Sequence, residues 1–180
     1  MIKGKAMHLW SKLGVMMTAL FSVACSVKPP PDVKVVENFE LPRYLGTWYE
    51  IARMDHGFER GLDHVTANYS TRPDGGIKVI NRGYNPKKKS WQESEGKGYF
   101  LGTPVRAALK VSFFGPFYGG YNVIELDRNY QYALVCGPNK KYLWILSRTP
   151  MLDEVARTRL LETAKRYGFD TSKLIWVNQS

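Results

Sequence analysis

Between residues 47 and 148 the chain alternates short apolar runs with turn residues at a regular spacing. Gly, Pro, Asn and Asp mark the turns at 72–76, 85–86, 102–104, 115–116, 127–129 and 137–139. Runs of this length between such residues predict β-strands joined by short connections. The predicted strands cover about 47–54, 64–71, 76–84, 90–100, 106–113, 120–127, 131–137 and 142–148. Eight antiparallel strands in this order predict an all-β, up-and-down β-barrel, the smallest size whose interior holds one small ligand.

The pattern changes after the last of these runs. Apolar residues recur with a helical period from Asp153 to Tyr167, at Leu152, Val155, Ala156, Leu160, Ala164 and Tyr167. Acidic residues occupy the first turn and basic residues the last, and Gly168 ends the segment. We expect one α-helix packed on the outer wall of the barrel. A last strand is predicted at 174–177.

The N-terminus has the features of an export signal. Lys3, Lys5 and Lys12 precede an apolar run at 13–24, which is too short to span a bilayer, and Cys25 follows it. The residues Ser22-Val23-Ala24-Cys25 resemble the bacterial lipobox, which implies a signal peptide at 1–24 and lipidation of Cys25. An ordinary secretory signal cleaved nearby is the alternative.

Ser26 follows Cys25, where lipoproteins retained in the inner membrane typically carry Asp. The resemblance therefore implies an outer-membrane location, anchored through lipidated Cys25 and facing the periplasm. Prolines in 27–32 predict a stiff spacer that holds the domain roughly 20 Å from the anchor at about 3.1 Å per residue. We expect an acylated Cys and Pro-rich spacer at 25–38 and the barrel domain with its helix at 39–180.

The formal net charge is +10, with 26 basic and 16 acidic residues. Without the three lysines of the signal segment the balance is 23 against 16, a net charge of +7. Such an excess suits an anionic membrane surface, an acidic ligand or nucleic acid about equally. An exported, lipid-anchored protein rarely meets nucleic acid, so we predict no nucleic-acid partner.

The first predicted strand carries a carboxylate beside a tryptophan. Alternation places Trp48, Glu50 and Ala52 on one face and Tyr49, Ile51 and Arg53 on the other. If the tryptophan face lines a closed interior, Glu50 needs a partner or a ligand, because an unpaired buried charge is costly. A solvated Glu50 on an edge strand is the alternative.

Three short motifs in this order resemble those of the lipocalins. They are Gly46-Thr47-Trp48-Tyr49 in the first strand, the segment 127–133 (DRNYQYA) at the turn before the seventh, and Arg148 after the eighth. The resemblance covers nearly the whole mature length and implies the lipocalin barrel. It also implies that Arg148 packs over Trp48, with Gly46 nearby, and closes the barrel floor.

The same resemblance implies a carrier of a small apolar ligand. The bacterial members of this family look like proteins that bind fatty acids or lysophospholipids. The resemblance implies no cofactor and no metal. Strand alternation predicts an inward, ligand-binding set of Glu50, Ala52, Val123, Ala133, Val135, Trp144 and Leu146, with Phe113, Phe117 and Tyr118 at the mouth. A bulge would reverse the remainder of its strand.

Alternating connections bring four loops, at 54–63, 85–89, 114–120 and 137–141, to one end of the barrel. This end is basic and aromatic. Lysines beside exposed aromatic residues suit a lipid interface. The alternative is that the lysines keep the loops soluble and the aromatic residues pack on each other. A homodimer is a further alternative at this rim.

An enzyme is not predicted. The chain has no Gly-x-Ser-x-Gly motif and no metal-ligand spacing, and His56 and His64 fall in or beside a loop that we expect to be exposed. Cys136 lies in an apolar run, which predicts a buried, unreactive thiol. A lipid-modifying enzyme of lipocalin fold is the alternative function.

Overall fold

The computed structural model describes residues 26–180. Within them, nine strands form one antiparallel sheet: β1 Gly46–Met54, β2 Asp63–Thr71, β3 Ile77–Asn85, β4 Ser90–Phe100, β5 Ala108–Phe114, β6 Phe117–Leu126, β7 Tyr132–Cys136, β8 Leu143–Ser147 and β9 Leu174–Trp176. The helices are α1 Leu41–Tyr44 and α2 Glu154–Arg166, and a 3₁₀ turn spans Thr171–Lys173. The predicted signal peptide and the lipidation site at Cys25 lie outside the described residues.

The first eight strands close into a barrel. Each strand pairs with its sequence neighbour, and β1 pairs with both β2 and β8. The short β9 pairs with the second half of β1, beyond the residues that pair with β2. The predicted eight-stranded antiparallel barrel with one external helix is confirmed, and the model adds β9 to its sheet.

A β-bulge at Ile51 reverses the faces of the second half of β1. Glu50 lies opposite Leu146, but the next aligned pair is Ala52 with Ile145, so Ile51 is an extra residue. Ile51 and Ala52 both pack in the outer core, and Arg53 turns into the barrel opposite Trp144. The predicted inward orientation of Ala52 is therefore wrong.

Helix α2 covers an apolar patch on the outer wall. The Asp153 side chain accepts a hydrogen bond from the Ala156 backbone N–H at 2.8 Å and caps the helix. Leu160 and Ala164 are fully buried and pack in the outer core with residues of β7 and β8. Val155, which we expected on this face, is 80% exposed. The buried stripe follows Ala156 at the i, i+4 and i+8 positions, and Val155 lies outside it.

None of the helices in residues 26–180 has the length and apolar character of a membrane-spanning helix.

Residues 26–38, which we call the N-terminal strap, lie against the barrel. The Val36 N–H donates to the Val123 carbonyl at 2.9 Å, and the Val36 carbonyl accepts from the Ala107 N–H at 2.9 Å. Val33 and Val35 are buried. The predicted stiff spacer therefore does not extend away from the barrel, because the apolar side chains of the strap lose contact with water by packing on the barrel wall.

Candidate functional site

The two ends of the barrel differ. We call the end that carries the connections 55–62, 86–89, 115–116 and 137–142 the open end. The other end, the closed end, carries α1 and the start of β1.

Arg148 seals the closed end. Its guanidinium carbon lies 4.0 Å from the centroid of the Trp48 ring, which is the contact that the motifs imply. Its nitrogens donate to three backbone carbonyls at 2.8 to 3.2 Å, those of Arg43, Thr47 and Tyr130. Gly46 has a φ of +92°, a conformation that suits glycine, and a Cβ there would meet Arg148 at 3.5 Å. The floor is therefore a cation-π contact held by backbone hydrogen bonds.

The interior above this floor is apolar and aromatic. Its buried residues are Phe39, Tyr44, Trp48, Tyr69, Ile77, Val79, Ala107, Leu109, Val123, Tyr130, Ala133, Val135 and Leu146. A cavity of about 10 Å³ lies near the closed end, which is the space that one water molecule needs.

Three tyrosines place a polar network within this apolar interior. The Tyr121 hydroxyl hydrogen-bonds with the hydroxyls of Tyr44 at 2.7 Å and Tyr69 at 2.8 Å. Burial raises the pKa of all three phenols, so they remain neutral hydrogen-bonding groups.

The open end holds four buried polar or charged side chains and one partly buried tryptophan. We call this group the mouth cluster: Glu50, Arg53, His56, Glu59 and Trp144. Arg53 Nη1 donates to the Glu50 carboxylate at 2.7 Å. Arg53 Nη2 donates to the backbone carbonyls of Glu59 at 2.8 Å and Leu62 at 3.2 Å. The arginine thus joins β1 to the β1–β2 loop, residues 55–62, and holds that loop over the barrel opening.

Glu59 is the centre of the remaining contacts. The Trp144 indole N–H donates to its carboxylate at 3.1 Å, and His56 Nε2 lies 3.0 Å from the same oxygen. His56 and Glu59 are both buried. The expectation of an exposed loop histidine is therefore wrong for His56, because the β1–β2 loop folds inward.

The two glutamates differ in protonation. Burial raises the pKa of Glu50 well above its usual value, and the negative charge of Glu59 raises it further against the opposing effect of Arg53. Burial also disfavours the charged form of Glu59, but His56 and the Trp144 indole outweigh this effect and lower its pKa. At neutral pH the cluster therefore holds an ionised Glu59 and a Glu50 that retains a proton to higher pH than an exposed glutamate does.

Two nitrogens of the cluster keep unused hydrogen-bonding capacity. Arg53 Nε and His56 Nδ1 are buried and have no hydrogen-bond partner among residues 26–180. Within the same residues, the His, Cys, Asp and Glu side chains form no group suited to a metal ion. The arrangement can hold an anionic or polar head group next to an apolar interior.

A family model described as lipocalin-like domain matches residues 39–179. The chain is a lipocalin. Outer membrane lipoprotein Blc of Escherichia coli (strain K12) is 62% identical over 174 residues, which cover 96% of this chain and 98% of that protein. Outer membrane lipoprotein Blc of Vibrio cholerae is 55% identical over 91% of this chain and 99% of that protein.

The chain is also similar to more distant proteins. Apolipoprotein D of Mus musculus is 32% identical over 83% of this chain and 82% of that protein. The structure of insecticyanin from the tobacco hornworm Manduca sexta aligns with a TM-score of 0.67 at 24% identity, over 83% of this chain and 86% of that one. The likeness to insecticyanin shows the fold alone. The chain is thus an outer-membrane lipoprotein of the lipocalin family, and its named relatives support a binding protein rather than an enzyme.

The lipocalin barrel brings most of the predicted inward residues together. Val123, Ala133, Val135 and Leu146 lie in the inner core, with Trp144 and Phe113 packed against it. Glu50 is buried in the mouth cluster. Their ligand-binding role stays a prediction.

Two predicted residues of the ligand-binding set, Ala52 and Tyr118, lie elsewhere in this lipocalin. Ala52 faces the outer core. Phe117 lies at the open end, where it was predicted, and is 71% exposed at the tip of the β5–β6 hairpin. Tyr118 contacts the Lys110 ammonium at 4.8 Å and the Tyr99 ring at 6.5 Å, and Lys110 and Tyr99 are paired across β4 and β5.

Strand alternation missed Arg53, His56 and Glu59. The bulge that turns Arg53 inward leaves no mark in the alternation of β1. The other two residues lie in a charged loop, which ordinarily indicates solvent exposure. The signal that could have identified them was Glu50 itself, because a buried carboxylate requires partners and the nearest basic residues in sequence are Arg53 and His56.

Proposed function

We propose that this outer-membrane lipocalin binds a fatty acid, such as palmitate, or a lysophospholipid in its barrel. It stores or carries that lipid on the periplasmic side of the outer membrane and so helps to maintain the cell envelope. The observation that carries the proposal is an enclosed apolar interior that ends in a buried, hydrogen-bonding mouth cluster.

The acyl chain would supply most of the affinity. Burial is worth about 0.8 kcal/mol per methylene, so about fifteen methylenes give a gross term near 12 kcal/mol. A head-group hydrogen bond adds about 1 to 3 kcal/mol. The interior provides the matching environment, since its inner strand positions are aliphatic or aromatic.

The mouth cluster would hold the polar head. Arg53 Nε is a buried donor without a partner among the described residues, and a carboxylate or phosphate oxygen accepts such a hydrogen bond. A Glu50 that retains its proton reduces the repulsion of an anion. The head group would therefore lie between Arg53 and Glu50.

The cavity near the closed end is too small for an acyl chain. Sites for drug-sized ligands have volumes of about 300 to 1,000 Å³, whereas the cavity near the closed end has about 10 Å³. The β1–β2 loop places Glu59 and His56 in the opening. Binding therefore requires this loop to move outward and the inner side chains to repack around the acyl chain.

The test combines mass spectrometry of lipid extracted from the purified Cys25→Ser protein with displacement of a fluorescent fatty acid by candidate lipids. We expect co-purified acyl lipid. Trp144→Ala and Glu50→Gln should raise the dissociation constant by about tenfold, which corresponds to about 1.4 kcal/mol.

Trp91→Ala is the matched control for Trp144→Ala. Trp91 lies at the start of β4, is half exposed, and stacks with Arg82 of β3 outside the inner core. It should leave the dissociation constant unchanged. Protein that carries no lipid and displaces no fluorescent fatty acid would refute the proposed function.

A further inference from the structure

Three tyrosine hydroxyls meet inside the barrel, next to its floor. We call Tyr44, Tyr69 and Tyr121 the tyrosine network. The Tyr44 ring packs on the Trp48 ring of the floor, with 4.7 Å between the centroids. Tyr69 lies on β2 and Tyr121 on β6, which are separated by β3, β4 and β5 in one direction around the barrel and by β1, β8 and β7 in the other. Because their hydroxyls meet at 2.8 Å, the network spans the interior from one wall to the opposite wall.

The network has one more proton donor than it has hydrogen bonds. Each hydroxyl carries one proton and two lone pairs. Tyr121 hydrogen-bonds with Tyr44 and with Tyr69, and the three hydroxyls make no other hydrogen bond within residues 26–180. Two bonds use two protons whichever way each bond points, so one O–H has no acceptor in the part of the chain that the structure describes. Burial raises the pKa of all three phenols, so each keeps its proton at neutral pH.

The surroundings of the network are apolar. Apart from the three tyrosines, the side chains that line the small cavity beside it are Phe39, Leu41, Ile77, Val79, Leu109 and Val111. A buried hydroxyl without a partner is costly. The free O–H therefore favours any ligand that brings an acceptor to this depth.

Contacts on every side hold the three rings in place. The Trp48 indole N–H donates to the Tyr44 carbonyl at 2.8 Å. The Tyr69 ring lies 5.5 Å from the Tyr44 ring and 5.9 Å from the Tyr121 ring, measured between centroids. The free donor is thus positioned before a ligand enters, which lowers the entropic cost of a hydrogen bond to that ligand.

We propose that the tyrosine network is a subsite for an oxygen atom carried by the acyl chain, so that the barrel prefers a hydroxylated fatty acyl chain to an unsubstituted one. An alcohol oxygen accepts a hydrogen bond from the free O–H, and the alcohol proton donates to a lone pair of another tyrosine. The subsite depends on the proposed function, because an acyl chain must enter the barrel to reach it. The head group lies at the mouth cluster and the network lies beside the floor, so the oxygen belongs in the distal half of the chain.

A water molecule is the competing partner of the free O–H. The cavity beside the network, about 10 Å³, has room for one. A buried water typically makes about three hydrogen bonds, and the tyrosines are the polar side chains that line this cavity. An alcohol that is part of the chain satisfies the donor without immobilising a separate molecule. A retained water would make hydroxylated and unsubstituted chains bind equally.

The test measures displacement of a fluorescent fatty acid from the purified Cys25→Ser protein by octadecanoic acid, 12-hydroxyoctadecanoic acid and 2-hydroxyoctadecanoic acid. The 12-hydroxy acid carries its alcohol in the distal half of the chain, and the 2-hydroxy acid carries it beside the head group. We expect the dissociation constant of the 12-hydroxy acid to be about tenfold lower than that of octadecanoic acid, because a site that hydrogen-bonds a ligand hydroxyl discriminates against the ligand without it.

The test variant combines Tyr44→Phe, Tyr69→Phe and Tyr121→Phe. All three are replaced together because a single substitution still leaves a free O–H. Removal of every hydroxyl leaves no buried donor unpaired and keeps the rings, so the variant should fold as the native chain does. Its preference should reverse in favour of octadecanoic acid, since the alcohol of the 12-hydroxy acid would be buried without a partner.

Two controls isolate the network. Tyr130→Phe removes a buried phenol outside it, whose hydroxyl accepts a hydrogen bond from the Glu40 N–H at 2.9 Å, and should keep the native preference. The ratio of the dissociation constants of 2-hydroxyoctadecanoic and octadecanoic acid should be the same in the native chain and in the triple variant.

Equal dissociation constants of 12-hydroxyoctadecanoic and octadecanoic acid in the native chain would overturn the proposal, whether or not the triple variant folds. A reversal that Tyr130→Phe also produces, or that the 2-hydroxy acid also shows, would overturn it as well. Displacement by octadecanoic acid without any preference refutes the subsite and leaves the proposed function standing, whereas no displacement by any of the three acids refutes both.

Discussion

Arg148 joins parts of the closed end that are far apart in sequence. It stacks on Trp48 of β1 and donates to backbone carbonyls in α1, β1 and the β6–β7 turn. Substitution of Arg148 therefore removes several contacts at once.

We expect Arg148→Ala to lower the free energy of unfolding by about 2 to 4 kcal/mol, from the lost cation-π contact and charged hydrogen bonds. Urea denaturation measures the change. Arg106→Ala is the control, since Arg106 forms an exposed ion pair with Glu37 and should cost less than about 1 kcal/mol. Equal effects of the two substitutions would show that the floor contact does not stabilise the barrel.

Glu50 and Glu59 predict opposite pH dependences. The folded chain keeps a proton on Glu50 that the unfolded chain releases above about pH 4.5, so Glu50 costs stability as the pH rises. The pKa of Glu59 is lowered, so ionised Glu59 contributes stability that is lost as the pH falls through its folded-state value.

Relative to the native chain, Glu50→Gln should therefore become more stable as the pH rises above about 4.5, and Glu59→Gln should become less stable as the pH rises toward about 4.5. Urea denaturation across this pH range measures both variants. Parallel pH profiles for the two variants would contradict the assigned protonation states.

Glu50 also shows how far single residues could be predicted. Its place beside Trp48 indicated a buried carboxylate, and the structure buries it. Its partner Arg53 was assigned to the opposite face because alternation assumes that each residue of a strand lies opposite one residue of the neighbouring strand. The bulge at Ile51 adds one unpaired residue and so turns Arg53 inward. Tertiary pairing with β8 fixes that bulge, and the alternation of β1 carries no trace of it.

At the scale of elements, the β1–β2 loop is the part of the barrel that must move for the proposed ligand to enter. Its attachment depends on Arg53 Nη2, which donates to the carbonyls of Glu59 and Leu62. The same loop carries Arg60, whose exposed ion pair with Asp55 does not reach the interior.

We expect Arg53→Met to speed amide hydrogen exchange in residues 55–62 at least about tenfold, because charged hydrogen bonds are worth about 1.5 to 3 kcal/mol each. Arg60→Ala should leave these rates unchanged. Mass spectrometry of deuterium uptake measures both. Protection that survives Arg53→Met would mean that other contacts hold the loop.

Helix α2 allows a comparison of two apolar positions. Leu160 is fully buried in the outer core, whereas Val155 is mostly exposed. We expect Leu160→Ala to lower the free energy of unfolding by about 2 to 5 kcal/mol and Val155→Ala by less than about 0.5 kcal/mol. Thermal or urea denaturation measures both, and similar losses would contradict the packing of this helix.

The strands were predictable because the turns between them contain Gly, Pro, Asn or Asp, and their predicted bounds differ from the observed ones by a few residues. Helix α1 was not predicted, since four residues carry no period and Pro42 occupies its first turn. Val155 was placed on the buried face because every apolar residue near the helical period was assigned to that face. The sequence does not show which side of α2 meets the barrel.

At the scale of the whole molecule, the strap connects the predicted anchor to the barrel. Val33 and Val35 are buried, whereas Lys34 between them is exposed. Prolines in 29–31 suggested a stiff spacer that extends from the barrel, but the valines that follow alternate as a strand does and pack on the wall.

We expect Val33→Asp to lower the free energy of unfolding by at least about 3 kcal/mol, because it removes a buried apolar side chain and places a carboxylate against the outer core. Lys34→Asp is the control and should change it by less than about 0.5 kcal/mol. Urea denaturation of the Cys25→Ser protein measures both. A strap that is not attached to the barrel would give equal, small effects.

The bulge at Ile51 also has a consequence for how such a protein can evolve. Loss of the Ile51 codon would restore plain alternation in β1 and leave Glu50 and Arg53 facing inward and Ala52 facing outward, because only the extra residue is removed. A single deletion would thus remove the bulge without changing which charges lie at the mouth. Relatives without this residue would be expected to carry the inward carboxylate and the inward arginine two positions apart instead of three, a difference in spacing that a comparison of residue identities alone would overlook.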